Sequence, residues 1–262
     1  MDWGIRNRIS RIIRPYDNKT VMLAIDHGYF LGPTEKLENP KQTVQKLEKY
    51  CDSIMLTRGI LRNCVNAKFI TPMVLRISGG SSIISNDLSN EKITTNIKEA
   101  IRLNSSAVAL SIFIGSKHEH NSLINLGNTV NEAEEFGMPV LAVTAVGKEL
   151  EKRDSRYLAL ACRIAAEFGA HIVKTYYCEG FEKVVNSCPI PIIIAGGPKL
   201  EEKKALELTH NAIRDGASGV DMGRNIWQSD HPIEMIKAVR SIVHGNKSAK
   251  DAYDSFKRTI KK

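Results

Sequence analysis

Three groups of residues in this 262-residue chain have types and spacing that could do chemistry. The first is Lys174, which follows the apolar run His171-Ile172-Val173. A lysine carried to the mouth of a closed sheet loses water, and desolvation favours the neutral amine. A neutral amine can attack a ketone and form a Schiff base, an electron sink for breaking a carbon–carbon bond. The alternative is a lysine that has left the sheet and reached solvent. The second group is Gly196-Gly197 together with Gly223-Arg224. Glycines let backbone N–H groups approach phosphate oxygens, and arginine adds a bidentate charged contact; the plainer reading is two tight turns. The third is Asp26-His27, a carboxylate and an imidazole able to move protons or simply to bond within a loop.

Bringing residues 26 to 224 together requires a scaffold, and the hydrophobic pattern supplies one. Eight short apolar runs recur: Val21–Ile25, Ser53–Leu56, Pro72–Ile77, Ala107–Phe113, Pro139–Thr144, Ala170–Thr175, Pro191–Ala195 and Ser218–Met222. Each is nearly continuous in apolar character, as strands are when both faces are covered in a parallel sheet. Between them Pro40–Tyr50, Lys92–Arg102, His118–Phe136, Lys148–Phe168, Lys199–Asp215 and His231–Val243 carry helical apolar spacing. Gly137, Gly169 and Gly216 stand where helices should end before the next strand. Alternating strand and helix without a linker predicts an α/β fold, a single (β/α)8 TIM barrel spanning residues 1–262. The amphipathic helix of Asp2–Arg14 is expected to plug its bottom or to pack on a neighbour. A doubly wound open sheet is the second choice, and no Gly-x-Gly-x-x-Gly follows the first strand to support it. In a barrel, functional groups project from the C-terminal strand ends, where Asp26, His27, Lys174 and both glycine pairs fall.

Composition narrows the partners. Thirty-seven Lys and Arg against 29 Asp and Glu give a formal charge of +8, which favours an anionic ligand. Aromatic residues make up 6% and no basic stripe interleaves with them, so a phosphorylated small molecule fits better than nucleic acid. Part of the excess, Lys257, Arg258, Lys261 and Lys262, reads as a solvated helix end. No apolar run approaches the roughly 18 residues of a membrane span, and the basic start lacks a signal core, so a cytoplasmic protein is expected. Five cysteines without a Cys-x-x-Cys pair read as reduced thiols. His118-Glu119 does not extend to His-Glu-x-x-His, and no metal is expected.

The stretches Thr20–Pro33, Thr57–Arg62, Arg102–Ala109, Ile172–Tyr177, Pro191–Gly197 and Gly216–Pro232 together resemble the archaeal-type class I aldolases, the DhnA-like/DeoC-like Schiff-base barrels. Within that family they are most similar to its thiolase branch, over nearly the whole chain. The resemblance implies Lys174 as the Schiff-base residue and phosphate binding by Gly196, Gly197, Gly223 and Arg224. Asp26 and His27 would then lie near the substrate carbonyls. It also implies a homodecamer that passes acetyl from 3-hydroxy-5-phosphonooxypentane-2,4-dione to coenzyme A, with coenzyme A as co-substrate and dihydroxyacetone phosphate as product. The alternative it leaves is aldol cleavage of fructose 1,6-bisphosphate or a related sugar phosphate. One departure bears on the choice: the wider family has a proton-donating tyrosine after the fifth strand, whereas this chain has Thr144-Ala145-Val146-Gly147. A threonine hydroxyl is a poor general acid, which favours the thiolase branch. Cys178, close to Lys174 in sequence, is expected to be incidental.

Overall fold

The computed structural model describes residues 2–145 and 154–261. Val146, Gly147, the start of the expected helix at Lys148 and the last lysine, Lys262, lie outside them. Eight parallel strands close into a barrel: β1 (Thr20–Ala24), β2 (Ser53–Thr57), β3 (Met73–Arg76), β4 (Ala107–Ile112), β5 (Val140–Thr144), β6 (Ile172–Thr175), β7 (Ile192–Ala195) and β8 (Gly219–Met222). The ring shuts where β1 pairs with β8 in the register Thr20↔Gly219 through Leu23↔Met222. All eight expected strands are present within a residue or two, and the fold is the (β/α)8 TIM barrel.

Period-two alternation sorts these strands into two cores. Val21, Leu23, Ile54, Leu56, Leu75 and Val173 face the surrounding helices, while Met22, Met55, Val74, Ala109, Leu141, Ile172 and Ile193 fill the barrel interior. Ile12 and Ile13, with Ile9, pack onto the interior set from below. They come from the helix Trp3–Ile12 and its end, whose start is capped by the Asp2 carboxylate accepting from Gly4 and Ile5. This helix is the plug, although Trp3 at its start is 72% exposed. One step further along each strand the same inward register brings Arg76, Ser111, Val143, Lys174, Ala195 and Asp221 into the next layer, the floor of the mouth.

The helices Glu119–Glu135, Glu202–Arg214 and Pro232–Val243 match their expected spans, and the glycines expected to end three helices have φ of 60°, 86° and 102° at Gly137, Gly169 and Gly216. Lys92–Arg102 is not one helix. Lys92–Ile93 pairs with Ser78–Gly79 in a small antiparallel ribbon, and the helix begins only at Ile97, after Asn96 caps it by accepting from Glu99 N (2.8 Å). The β-branched Thr94 and Thr95 favour extended backbone there. Short helices at Arg58–Cys64 and Phe181–Ser187 carry too few turns for periodicity to reveal. Lys257 and Arg258 of the basic tail stand in the last turn of the helix Ala249–Ile260, with Lys261 as its cap. No helix among the described residues is long and apolar enough to cross a membrane.

At the closed end, His244 bridges two carboxylates, Asp17 Oδ2 and Asp52 Oδ2, each at 2.7 Å. Asp52 also accepts from Val21 N (2.7 Å) and Arg240 Nη1 (2.8 Å), tying the starts of β1 and β2 to the last barrel helix. Burial acts to raise the Asp52 carboxyl, but the bonds from His244 and Arg240 outweigh it and hold it below the ordinary value. His244→Ala is expected to cost about 1.5–3 kcal/mol at neutral pH, the range for hydrogen bonds to charged groups. The depressed carboxyl stabilises the fold above its unfolded value and loses that contribution as pH falls through its folded one. The gap between wild type and variant, followed by chemical denaturation, should therefore close towards acid pH.

Candidate active site

The C-terminal strand ends enclose a cavity of about 330 Å³ whose wall includes Asp26, His27, Lys174, Gly196, Gly197, Gly223 and Arg224. All seven residues singled out in the sequence thus meet in one place. Lys174 stands inside β6 rather than after it, two residues beyond the interior Ile172, so its side chain points into the barrel. It is 8% exposed, and its Nζ donates to Asp221 Oδ2 at 2.6 Å.

That pairing corrects the expectation of a resting neutral amine. Burial does press Lys174 towards the neutral form, but Asp221 and Asp26 outweigh it and hold the amine above its ordinary value. Burial lifts the Asp221 carboxyl to about 6, against the pull of Lys174. At neutral pH the pair therefore rests as ammonium and carboxylate, with the carboxylate placed to take the amine's proton. The other carboxylate oxygen, Asp221 Oδ1, is buried without a hydrogen-bond partner among the described residues, a strained arrangement that favours uptake of a proton. Asp221 was not singled out in the sequence, although a carboxylate in the middle of Gly219-Val220-Asp221-Met222, a strand covered on both faces, is itself a signal.

His27 is pushed down to about 4, chiefly by burial, so it is a neutral imidazole at physiological pH. Its Nδ1 is buried and unbonded among the described residues, 3.8 Å from Asp26 Oδ1. Its ring meets Trp227 edge-on at 5.6 Å, and Trp227 Nε1 donates to Ala24 O at 3.0 Å. An imidazole held neutral beside a buried carboxylate can relay protons within the cavity.

The two glycine turns are shaped by crowding on one side and openness on the other. A Cβ on Gly223 would lie 2.5 Å from Ala24 O and 2.5 Å from His27 Cε1, while Gly197, at φ 67°, faces open space. Asn225, fully buried, locks the turns together: Nδ2 donates to Gly196 O (2.6 Å), and Oδ1 accepts from Leu200 N (2.7 Å). Gly223→Ala must push the turn off its backbone neighbour, so the KM for a phosphorylated substrate is expected to rise by about tenfold or more. Initial-rate kinetics on the folded variant check this.

The opposite wall holds a polar network whose members do not stand out in the sequence. Arg76, from β3, is 5% exposed and lies 4.6 Å over the Tyr29 ring. Burial acts against its charge, but Tyr29, Glu91 and Asp26 outweigh it and hold the guanidinium charged. Thr144 reaches the cavity wall, and its Oγ1 donates to Thr175 Oγ1 at 2.7 Å, so its hydroxyl is engaged within the wall. Cys178 lies outside this wall, and burial first, then Asp154 and Glu182, keeps its thiol above the ordinary value. Among the described residues no three His, Cys, Asp or Glu side chains are grouped to hold a metal ion.

The family model of the DeoC/LacD family aldolases matches residues 20–229. The chain is 52% identical over 257 residues to a 3-hydroxy-5-phosphonooxypentane-2,4-dione thiolase of Yersinia enterocolitica, covering 98% of this chain and 88% of that protein. It is 53% identical over the same shares to the Escherichia coli protein of that name. Among solved structures, an archaeal fructose-1,6-bisphosphate aldolase, with its catalytic lysine covalently bound to the carbinolamine intermediate of the substrate, superposes at a TM-score of 0.82. It has 25% identity and covers 91% of this chain and 99% of that one.

Proposed function

Because the chain belongs to the DeoC/LacD aldolase family and is an enzyme of the class I aldolase type, we propose that it transfers acetyl from 3-hydroxy-5-phosphonooxypentane-2,4-dione to coenzyme A, with Lys174 as the Schiff-base residue. The observation that carries this reading is the buried Lys174–Asp221 pair, bonded at 2.6 Å in the same cavity as both glycine turns. The substrate phosphate docks at Gly196, Gly197, Gly223 and Arg224. The ketone next to the phosphate-bearing carbon then reaches Lys174, on the strand beside β7. Asp221 takes the Nζ proton, the amine adds, and water leaves. The resulting iminium draws the electron pair of the adjacent carbon–carbon bond, and Asp26 and His27 carry protons within the cavity. Coenzyme A accepts the acetyl group and dihydroxyacetone phosphate remains.

Two observations favour acetyl transfer over cleavage of fructose 1,6-bisphosphate. The relatives named for the thiolase share about twice the identity of the aldolase structure, and the hydroxyl at Thr144 is bonded to Thr175 instead of standing free as an acid. A homodecameric, cytoplasmic enzyme completes the proposal. Purified protein should form acetyl-coenzyme A from the phosphorylated dione and coenzyme A. Aldol cleavage of fructose 1,6-bisphosphate at a comparable kcat/KM, with no acetyl-coenzyme A, would reverse the choice.

A further inference from the structure

A thiolate that adds to a ketone carbon drives the carbonyl electron pair onto oxygen, and that oxygen needs hydrogen-bond donors already fixed in place. Lys174 and Asp221 attend the other carbonyl of the dione, so donors for the acetyl oxygen must come from elsewhere in the cavity. The ring order supplies a place. β3 and β4 stand halfway round the closed barrel from β7 and β8. Their inward side chains in the mouth layer, Arg76 and Ser111, therefore stand across the cavity from the glycine turns.

Arg76 is held rigidly by part of its guanidinium only. Nε donates to Ser78 O at 3.3 Å, and the two protons of Nη2 are shared among Tyr29 Oη at 2.6 Å, the Glu91 carboxylate at 3.2 and 3.3 Å, and Ser111 Oγ. Glu91 is fixed in turn by Ser78 Oγ (2.6 Å) and Tyr29 Oη (2.8 Å). Every bond of Arg76 to the described residues uses Nε or Nη2. Nη1 keeps two N–H groups with no partner among the described residues, on a side chain that lines the cavity. Ser111 Oγ accepts from Arg76, and its own proton goes to no described acceptor. Two unspent donors, one of them charged, thus share a desolvated wall opposite the phosphate cradle.

We propose that Arg76 and Ser111 are catalytic residues that stabilise the oxyanion formed at the acetyl carbonyl when coenzyme A attacks; this rests on the thiolase reading. The thiol gives up its proton to the Asp26–His27 pair and its sulfur bonds to the acetyl carbonyl carbon, whose π pair moves to oxygen beside Arg76 Nη1 and Ser111 Oγ. As the carbonyl re-forms, the bond to the hydroxyl-bearing carbon breaks and its pair moves into the Lys174 iminium, giving an enamine and acetyl-coenzyme A. The enamine carbon takes up the proton that the thiol lost. Water then hydrolyses the imine, replacing the water released when it formed, and frees dihydroxyacetone phosphate and Lys174.

Ser111→Ala and Arg76→Lys separate this role from a structural one, because imine formation does not use the oxyanion donors. With dihydroxyacetone phosphate and borohydride, both variants should trap the Lys174 adduct as the wild type does, read by intact mass. Acetyl-coenzyme A formation should fall in kcat by about 10²–10³-fold, with the KM for the dione nearly unchanged. An unchanged kcat in both variants overturns the proposal. So does an equal loss of trapping and turnover, which assigns these side chains to the architecture of the pocket. Wild-type protein that traps the triose phosphate but forms no acetyl-coenzyme A overturns the thiolase reading and the oxyanion role with it, a result read without any variant.

Discussion

Lys174→Ala is expected to lower acetyl-coenzyme A formation by roughly 10⁴–10⁶-fold, the scale on which loss of a covalent nucleophile acts. Among the described residues no other amine is bonded to Asp221, so none is placed to restore the imine, and borohydride should leave the variant unmodified. Binding of a phosphorylated ketone should persist within a few fold, because the glycine turns and Arg224 follow β7 and β8 and not the strand that carries Lys174. Steady-state turnover, trapping by mass spectrometry and calorimetric titration with dihydroxyacetone phosphate read the three outcomes. Near-normal turnover would remove Lys174 from the reaction.

Asp221→Asn should be the second largest effect, a fall in kcat of about 10²–10⁴-fold, the usual contribution of a positioned proton acceptor. Its signature is in the pH profile. The wild-type Asp221 carboxyl titrates at about 6, so it is ionised and able to receive the Nζ proton above that pH, and kcat/KM should decline as pH falls through it. The amide cannot titrate, and this acid limb should vanish from the residual activity. Without its carboxylate partner the Lys174 amine is left mainly to burial, which lowers its value. The variant's lysine should then be neutral at a lower pH than that of the wild type, yet react more slowly for want of an acceptor. A profile identical in shape to the wild type would assign the acid limb to another group.

The barrel and its strand ends were legible because a doubly covered strand writes a continuous apolar run, and eight such runs need no long-range information to be seen. Asp26, His27, Lys174 and both glycine pairs stood out because polar residues and glycines interrupt those runs at their ends. Asp221, Arg76 and Ser111 were less legible for a physical reason. They lie within strands, and only the inward register, fixed by Ile172 beneath Lys174 and by Val74 beneath Arg76, turns a polar residue inside a run into a wall of the cavity. That register was recoverable from the period of two. The state of Lys174 was not, since it depends on a partner 47 residues away brought round the ring. Lys92–Arg102 misled because apolar spacing alone cannot distinguish a two-residue ribbon from a first helical turn, whereas the Asn96 cap could have marked the true start.

The isoleucines wedged beneath the strands make the reaction chamber a cul-de-sac. Whatever goes in deepest comes out last: in the proposed reaction the dione is seated before the bulky thiol donor arrives, and the thioester departs before the triose phosphate. Initial-rate patterns should accordingly show a compulsory sequence of arrivals and departures, with the triose phosphate competing against the dione alone.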